Sequence, residues 1–206
     1  MHIPAQFKET DVAEVQRIIE EYPLATLAYQ SEIGVEAQHI PLIFDGESTL
    51  IGHVAADNNM VSELHNRDSI LVIFSGQNSY VSPNWFPTKQ DHHRHVPTWN
   101  YQAVHITGKI RFHCDVKACR AVVGKLTKHF ETKTNGSSAW KMADAPAEYI
   151  ESMLSQFVPF EIAIEQIEAK SKLSQNLEKI DFESVQLQME RRGQNELAAL
   201  MQKLKD

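Results

Sequence analysis

Apolar residues recur at helical spacing in DVAEVQRIIEE (11–21), where Val12, Val15, Ile18 and Ile19 share a face. Thr10 reads as the N-cap of that helix and Pro23 as its stop. The period then changes to two. LATLAYQ (24–30) and VEAQHIPLIF (35–44) read as strands joined by a turn near Gly34, DGES (45–48) as a hairpin signal, and TLIGHVA (49–55) as the next strand. NNMVSELHN (58–66) fits a short helix, and the apolar run SILVIFSG (69–76) fits a buried strand. In YQAVHITGKIRF (101–112), Val104, Ile106, Ile110 and Phe112 face one way, and His105, Thr107, Lys109 and Arg111 the other. DVKACRAVVGKLTKHFE (115–131) is a helix with Val116, Cys119, Val123, Leu126 and Phe130 on one stripe. Helical period returns in DAPAEYIESMLSQF (144–157) and alternation in VPFEIAIEQIEAK (158–170). From about Ile180 the chain is helical and charged, with Gly193 as a break.

Many strands with few helices, and no regular βαβ alternation, argue against a doubly wound parallel sheet and for a largely antiparallel barrel with helices packed outside. No internal repeat or long linker interrupts this pattern. Neither GxGxxG nor GxxxxGK[ST] occurs, so the common nucleotide loops are absent. The 206 residues suffice for one large domain, or for a domain with a helical appendage.

Composition narrows the function classes. A formal net charge of −7 weighs against a duplex-binding surface, leaving room only for a local basic patch. No apolar run approaches the ~20 residues that span a bilayer. MHIPAQFKETD lacks a basic region followed by an apolar one, so the cytoplasm is the expected compartment. Cys114 and Cys119 are too few for a disulfide framework or a four-sulfur zinc site, and Cys119 is expected to be a buried free thiol. No GxSxG occurs, so nucleophilic catalysis has little support.

The chemistry concentrates in SPNWFPTKQDHHRHVPTWNY (82–101). Its histidines suggest metal, but adjacent side chains in an extended segment point to opposite sides, so His92 and His93 do not easily share an ion. An exposed polar loop is the preferred reading for His92, His93 and His95. Tyr80, Trp85, Phe86, Trp99 and Tyr101 fit either core packing or a platform for a planar ring. Ser79, Ser82, Thr98 and Asn100 can hydrogen-bond ring edges or phosphate, and Lys89 can neutralise phosphate charge. In KSKLSQN (170–176), Lys170 and Lys172 share a strand face, and Ser174, Gln175 and Asn176 follow. That stretch is either a solvated strand end with a helix cap at Ser174 or Asn176, or an anion site.

IPAQF near the start, EYPLATL (21–27), SYVSPNWFPTK (79–89), VPTWNYQAVHITGKI (96–110) and KLSQN (172–176) together resemble the PaiB family, described as FMN-binding, split-barrel, negative transcriptional regulators. The resemblance spans nearly the whole chain, with its blocks in order. It implies a mainly β, α+β fold: a six-stranded antiparallel split β-barrel with peripheral helices. Residues 1–176 would form the FMN-binding domain and 177–206 a helical extension. It also implies a homodimer with FMN at the subunit interface. Carried over onto this chain, the cofactor-binding candidates are Ser82, Trp85, Lys89, Thr98, Trp99, Asn100, Tyr101, Lys172, Ser174, Gln175 and Asn176, with His53 and Asn58 as secondary ones. Ala56 stands where family members often carry arginine, and Ala169 and Ser171 where they carry glycine and tryptophan. Lys89 or Lys172 would then have to supply the phosphate charge. A pyridoxamine-phosphate-oxidase-like or flavin-reductase-like enzyme is the alternative, with His105 and Tyr101 nearest to proton handling. A DNA target would be met through the C-terminal segment QMERRGQNELAALMQKLKD, through a composite dimer surface, or only indirectly.

Overall fold

The computed structural model describes residues 1–204. Its strands are β1 (Lys8–Glu9), β2 (Leu24–Ser31), β3 (Gly34–Pro41), β4 (Ile43–Phe44), β5 (Thr49–Ala55), β6 (Ser69–Val81), β7 (Thr98–Phe112) and β8 (Phe157–Lys172). Its helices are α1 (Val12–Glu21), α2 (Asn59–Glu63), α3 (Lys89–His92), α4 (Val116–Asn135), α5 (Ala147–Leu154), α6 (Lys179–Arg191) and α7 (Asn195–Lys203). The sheet order is β3-β2-β6-β7-β8-β5-β4, with β1 on β8, and the registered pairings are antiparallel. The path ends at β3 and β4 without closing. This is an α+β fold of the split-barrel type. The six expected strands are β2, β3, β5, β6, β7 and β8; β1 and β4 are two-residue additions to them.

The chain divides into two compact units, one of residues 1–22, 74–105 and 168–206, the other of 23–73 and 106–167. Strands β6, β7 and β8 run through both. In the second unit, β2 alternates as its sequence demands, burying Ala25, Leu27 and Tyr29. Helix α4 lays Leu126 on Ile43 and Ile51, and Cys119 on Ile150 and Leu154. Cys119 is a buried free thiol whose Sγ lies 3.3 Å from the Leu154 carbonyl oxygen, and burial pushes its pKa up. Gly108 is required by β8: a Cβ there would lie 2.4 Å from the Ala163 carbonyl oxygen.

In the first unit, α6 and α7 build a core of their own. Phe182, Val185, Met189, Leu197 and Met201 pack with Val81, Phe86 and Leu173, so the C-terminal helices lie against the segments that follow β6 and β8. Gly193, with φ +74°, makes the break between these helices.

Local corrections have local causes. Asp11, not Thr10, caps α1, its carboxylate accepting from Ala13 N at 3.0 Å. Val116 lies in the first turn of α4 and is exposed rather than on the buried stripe. Neither Ser174 nor Asn176 caps α6, whose N-cap is Glu178. His95 is not part of an exposed loop crest: it is half-buried, its ring packed on Phe86. Among the described residues no helix is long and apolar enough to cross a membrane.

Candidate functional site

Eleven of the thirteen residues singled out by sequence fall in the first unit; His53 and Asn58 fall in the second. Strand β7 begins at Thr98 and keeps period two, so Asn100, Gln102 and Val104 turn inward while Trp99 stays exposed and Tyr101 half-exposed. This alternation separates groups that hold the site together from groups free to meet a ligand.

The inward group is internally satisfied. Asn100 is fully buried; its Oδ1 accepts from Ser174 Oγ at 2.9 Å, and its Nδ2 lies 3.7 Å from Met201 Sδ. Ser174 is itself buried and left-handed, with φ +65°. That conformation strains a non-glycine residue by about 1–2 kcal/mol and persists because the Asn100 bond over-determines it. Gln175 closes the same turn: its Oε1 accepts from Leu173 N at 2.7 Å, and its Nε2 donates to Ser171 O at 2.6 Å and Gln6 O at 3.1 Å. The Asn100–Ser174 bond thus ties the 173–176 turn to β7, while Gln175 ties it to the end of β8 and to Gln6.

The remaining candidates are differently arranged. Lys172 Nζ donates to Thr98 Oγ1 and lies 5.8 Å from the Phe7 ring centre. Trp99, the residue after Thr98, meets Tyr80 edge-to-face with centroids 6.1 Å apart, and both rings are about half exposed. Tyr101 receives Lys170 Nζ over its ring at 5.1 Å, and that ammonium also donates to His2 O at 3.2 Å. Asn176 is exposed.

The 82–97 segment is anchored at its foot. Ser82 Oγ accepts from Asn84 N at 3.2 Å, capping a single turn at Pro83–Trp85. Trp85 is half-buried on the α6–α7 core, carries the Arg192 guanidinium 4.9 Å over its ring, and accepts from Ser184 Oγ at 2.5 Å through its carbonyl. Lys89 Nζ donates to Asn84 Oδ1 at 2.6 Å. Asp181, 1% exposed, accepts from Thr88 N at 3.1 Å and from Thr88 Oγ1 at 2.6 Å. Because the Thr88 hydroxyl donates to Asp181, its contact of 2.7 Å with His95 Nε2 makes that nitrogen a donor. Among the described residues no group of His, Cys, Asp and Glu is placed to hold a metal ion.

In the second unit, Asn58 caps α2 by accepting from Met60 N at 2.9 Å. His53 packs edge-on against Phe157 at 4.9 Å, its Nδ1 is buried without a partner, and burial holds its pKa below 6.5. Ala56, at the end of β5, is exposed, so an arginine there would start from solvent.

The departures at 169 and 171 are buried. Ala169 pairs with Glu9 across β1 and β8, and Ser171 Oγ donates to Glu9 Oε2 at 2.8 Å while accepting from Gln102 Nε2 at 2.9 Å. Gln102 leads to a cluster that sequence reasoning missed. Arg17 donates to Gln102 Oε1 at 2.7 Å, to Glu14 at 2.8 Å, to Glu196 at 3.2 Å and to Glu21. Tyr22 donates to Glu196, and burial together with that carboxylate pushes its pKa up to about 12. The spacing of Glu14, Arg17 and Glu21 at i, i+3 and i+4 carried the signal. His105 is half-buried; burial and the N-terminal ammonium lower its pKa, against the pull of Glu168.

A cation on a hydroxyl is a donor set that fits a phosphate, and the exposed indole of Trp99 is a surface that fits a planar ring. A family model described as "Putative FMN-binding domain" matches residues 1–166. The chain is 32% identical over 208 residues to "Protease synthase and sporulation protein PAI 2" of Bacillus subtilis (strain 168), covering 98% of this chain and 97% of that one. The structure of the flavocytochrome Anf3 from Azotobacter vinelandii aligns with a TM-score of 0.61 at 12% identity, covering 82% of this chain and 72% of that chain. That of the FAD and heme binding protein from Mycobacterium smegmatis aligns at 0.58 and 15% identity, covering 80% and 73%. At these identities the two structures establish a shared fold and nothing finer.

Proposed function

The chain belongs to the PaiB family of FMN-binding-domain proteins, and from that premise we propose that it binds FMN and acts as a negative transcriptional regulator. The observation that carries the cofactor reading is the Lys172–Thr98 contact, a cation on a hydroxyl at the start of β7, in a strand that also exposes the Trp99 ring. Lys172 and Thr98 hold the phosphate as cation and hydroxyl, and Lys89, now donating to Asn84 Oδ1, is the second cationic candidate. Trp99 offers its exposed ring to the ring system, and Tyr101, with Lys170 over its ring, is the second aromatic candidate. Asn100, Ser174 and Gln175 position these groups by fixing the turn after β8, and Ser82 and Trp85 do so by fixing the foot of the 82–97 loop. His53, Asn58 and Asn176 complete the candidate set. When bound, FMN supplies a one- or two-electron redox centre.

Residues 1–176 carry the flavin and 177–206 brace it; the core that α6 and α7 share with Phe86 and Leu173 supports the bracing role. The protein acts as a cytoplasmic homodimer with the flavin at the subunit interface. Regulation is indirect or uses a composite dimer surface, because the charges of α6 and α7 are mixed. Nothing around His105 favours an oxidoreductase over this reading.

An absorbance spectrum between 350 and 500 nm and an FMN titration test it. Yellow protein, or saturable binding at micromolar FMN, is the expected result. Absence of saturation removes the cofactor reading. A gel-shift with salt titration tests direct DNA contact, where binding lost steeply with salt supports it.

A further inference from the structure

Away from every residue assigned to the flavin, the second unit holds a half-open cavity of about 480 Å³ between the last turns of α4 and the segment that follows it. That volume lies within the range of small-molecule sites. Lys128 lines it from α4 and Lys141 from the segment that follows, together with Thr127, Thr132, Ser137 and Trp140. No acidic side chain lines it, in a chain whose formal net charge is −7. Between 116 and 142 the sequence carries six lysines and arginines against one acid, Glu131.

That acid shapes the wall. Glu131 Oε2 accepts from the Trp140 backbone N–H at 2.9 Å and from Asn135 Nδ2 at 2.7 Å, pinning the returning segment to the end of α4. Gly136, with φ +54°, makes the reversal. Trp140 is therefore fixed through its backbone, yet the residue remains 43% exposed.

We propose that this cavity binds a small planar aromatic ligand carrying a carboxylate or phosphate, the ring lying on Trp140 and the anion between Lys128 and Lys141. An aromatic face gives broad rigid contact at low entropic cost, and paired ammonium groups with hydroxyl donors match a multi-oxygen anion. The ligand is an effector distinct from the flavin, and the site stands whether or not the flavin reading does.

The test is calorimetric titration of the full-length chain with 2-naphthoate and, separately, 2-naphthyl phosphate, which separates the two anion sources. 2-Naphthol and cyclohexanecarboxylate serve as neutral and non-aromatic controls. At least one naphthyl anion should saturate, with both controls at least tenfold weaker. Lys128→Ala and Lys141→Ala, both at exposed positions, should each weaken it roughly tenfold. Trp140→Leu should abolish the preference over cyclohexanecarboxylate, with Trp140→Phe retaining part of it as a check on folding. FMN titration should give the same affinity in the lysine variants and no competition with the naphthyl anion. Absence of saturation by either anion overturns the proposal, as does saturation indifferent to these substitutions or competitive with FMN. So does lysine-dependent binding of a DNA duplex without naphthyl binding, which would make the surface a polyanion contact.

Discussion

Substitution at Asn100 or Ser174 tests how far the buried Asn100–Ser174 hydrogen bond holds the 173–176 turn. Asn100→Ala removes the acceptor of Ser174 Oγ and leaves a hydroxyl buried at 2% exposure. An unsatisfied buried polar group costs about 1–3 kcal/mol, and deleting a fully buried amide adds a cavity, so a loss of about 2–4 kcal/mol is expected. Ser174→Ala and Ser174→Gly both delete the hydroxyl but differ in backbone. At φ +65° glycine is unstrained whereas alanine keeps the left-handed penalty, so the glycine variant should be the more stable by about 1 kcal/mol. Urea unfolding gives each value, and the double mutant Asn100→Ala/Ser174→Ala should cost less than the sum of its parts, because the two side chains share one bond. A Ser174→Ala variant as stable as Ser174→Gly, or additive single mutants, would refute the account of the turn.

Lys172→Ala should weaken FMN roughly tenfold or more, Thr98→Ala less, and Lys172→Arg least, as read by quenching of flavin fluorescence; the starting point is the Lys172–Thr98 contact. Gly108→Ala should destabilise the chain by about 1–3 kcal/mol in urea, since its Cβ would stand 2.4 Å from a backbone oxygen of β8. Burial holds His53 below 6.5, and burial with the N-terminal ammonium does so for His105. As pH falls through 6.5 the unfolded chain takes up these protons first, so stability drops on the acid side and is unaffected above it. His53→Phe should flatten that slope in urea midpoints measured from pH 7 downward; an unchanged slope would show that His53 does not contribute.

Period and punctuation made the strand set legible, because alternation in β2 and β7 reports one buried face directly. The ends were less legible. Strand β7 starts at Thr98 rather than Tyr101 because Trp99 and Asn100 also alternate, one exposed and one buried, and that could not be read from an indole beside an amide. For the same reason motif residues looked alike in sequence, yet Asn100, Ser174 and Gln175 have their polar groups taken up internally, whereas Trp99 remains open. The cluster around Arg17 was half legible: Glu14 and Glu21 lie on its own helix, but Gln102 and Glu196 come from 85 and 179 residues away. His95 was read as solvated because nothing in QDHHRHVP announces Asp181 or Phe86 beneath it.

The anchoring of the 82–97 loop makes its tip a place for cargo. Thr88 is tied to Asp181 and His95 to Thr88, while His92, His93 and Arg94 between them are exposed, with His93 already in a left-handed bend at φ +52°. A reporter peptide inserted after His93 would be carried outward from two fixed ankles. Cleavage after Arg94 would leave the two fragments held together through Phe86 and the α6–α7 core.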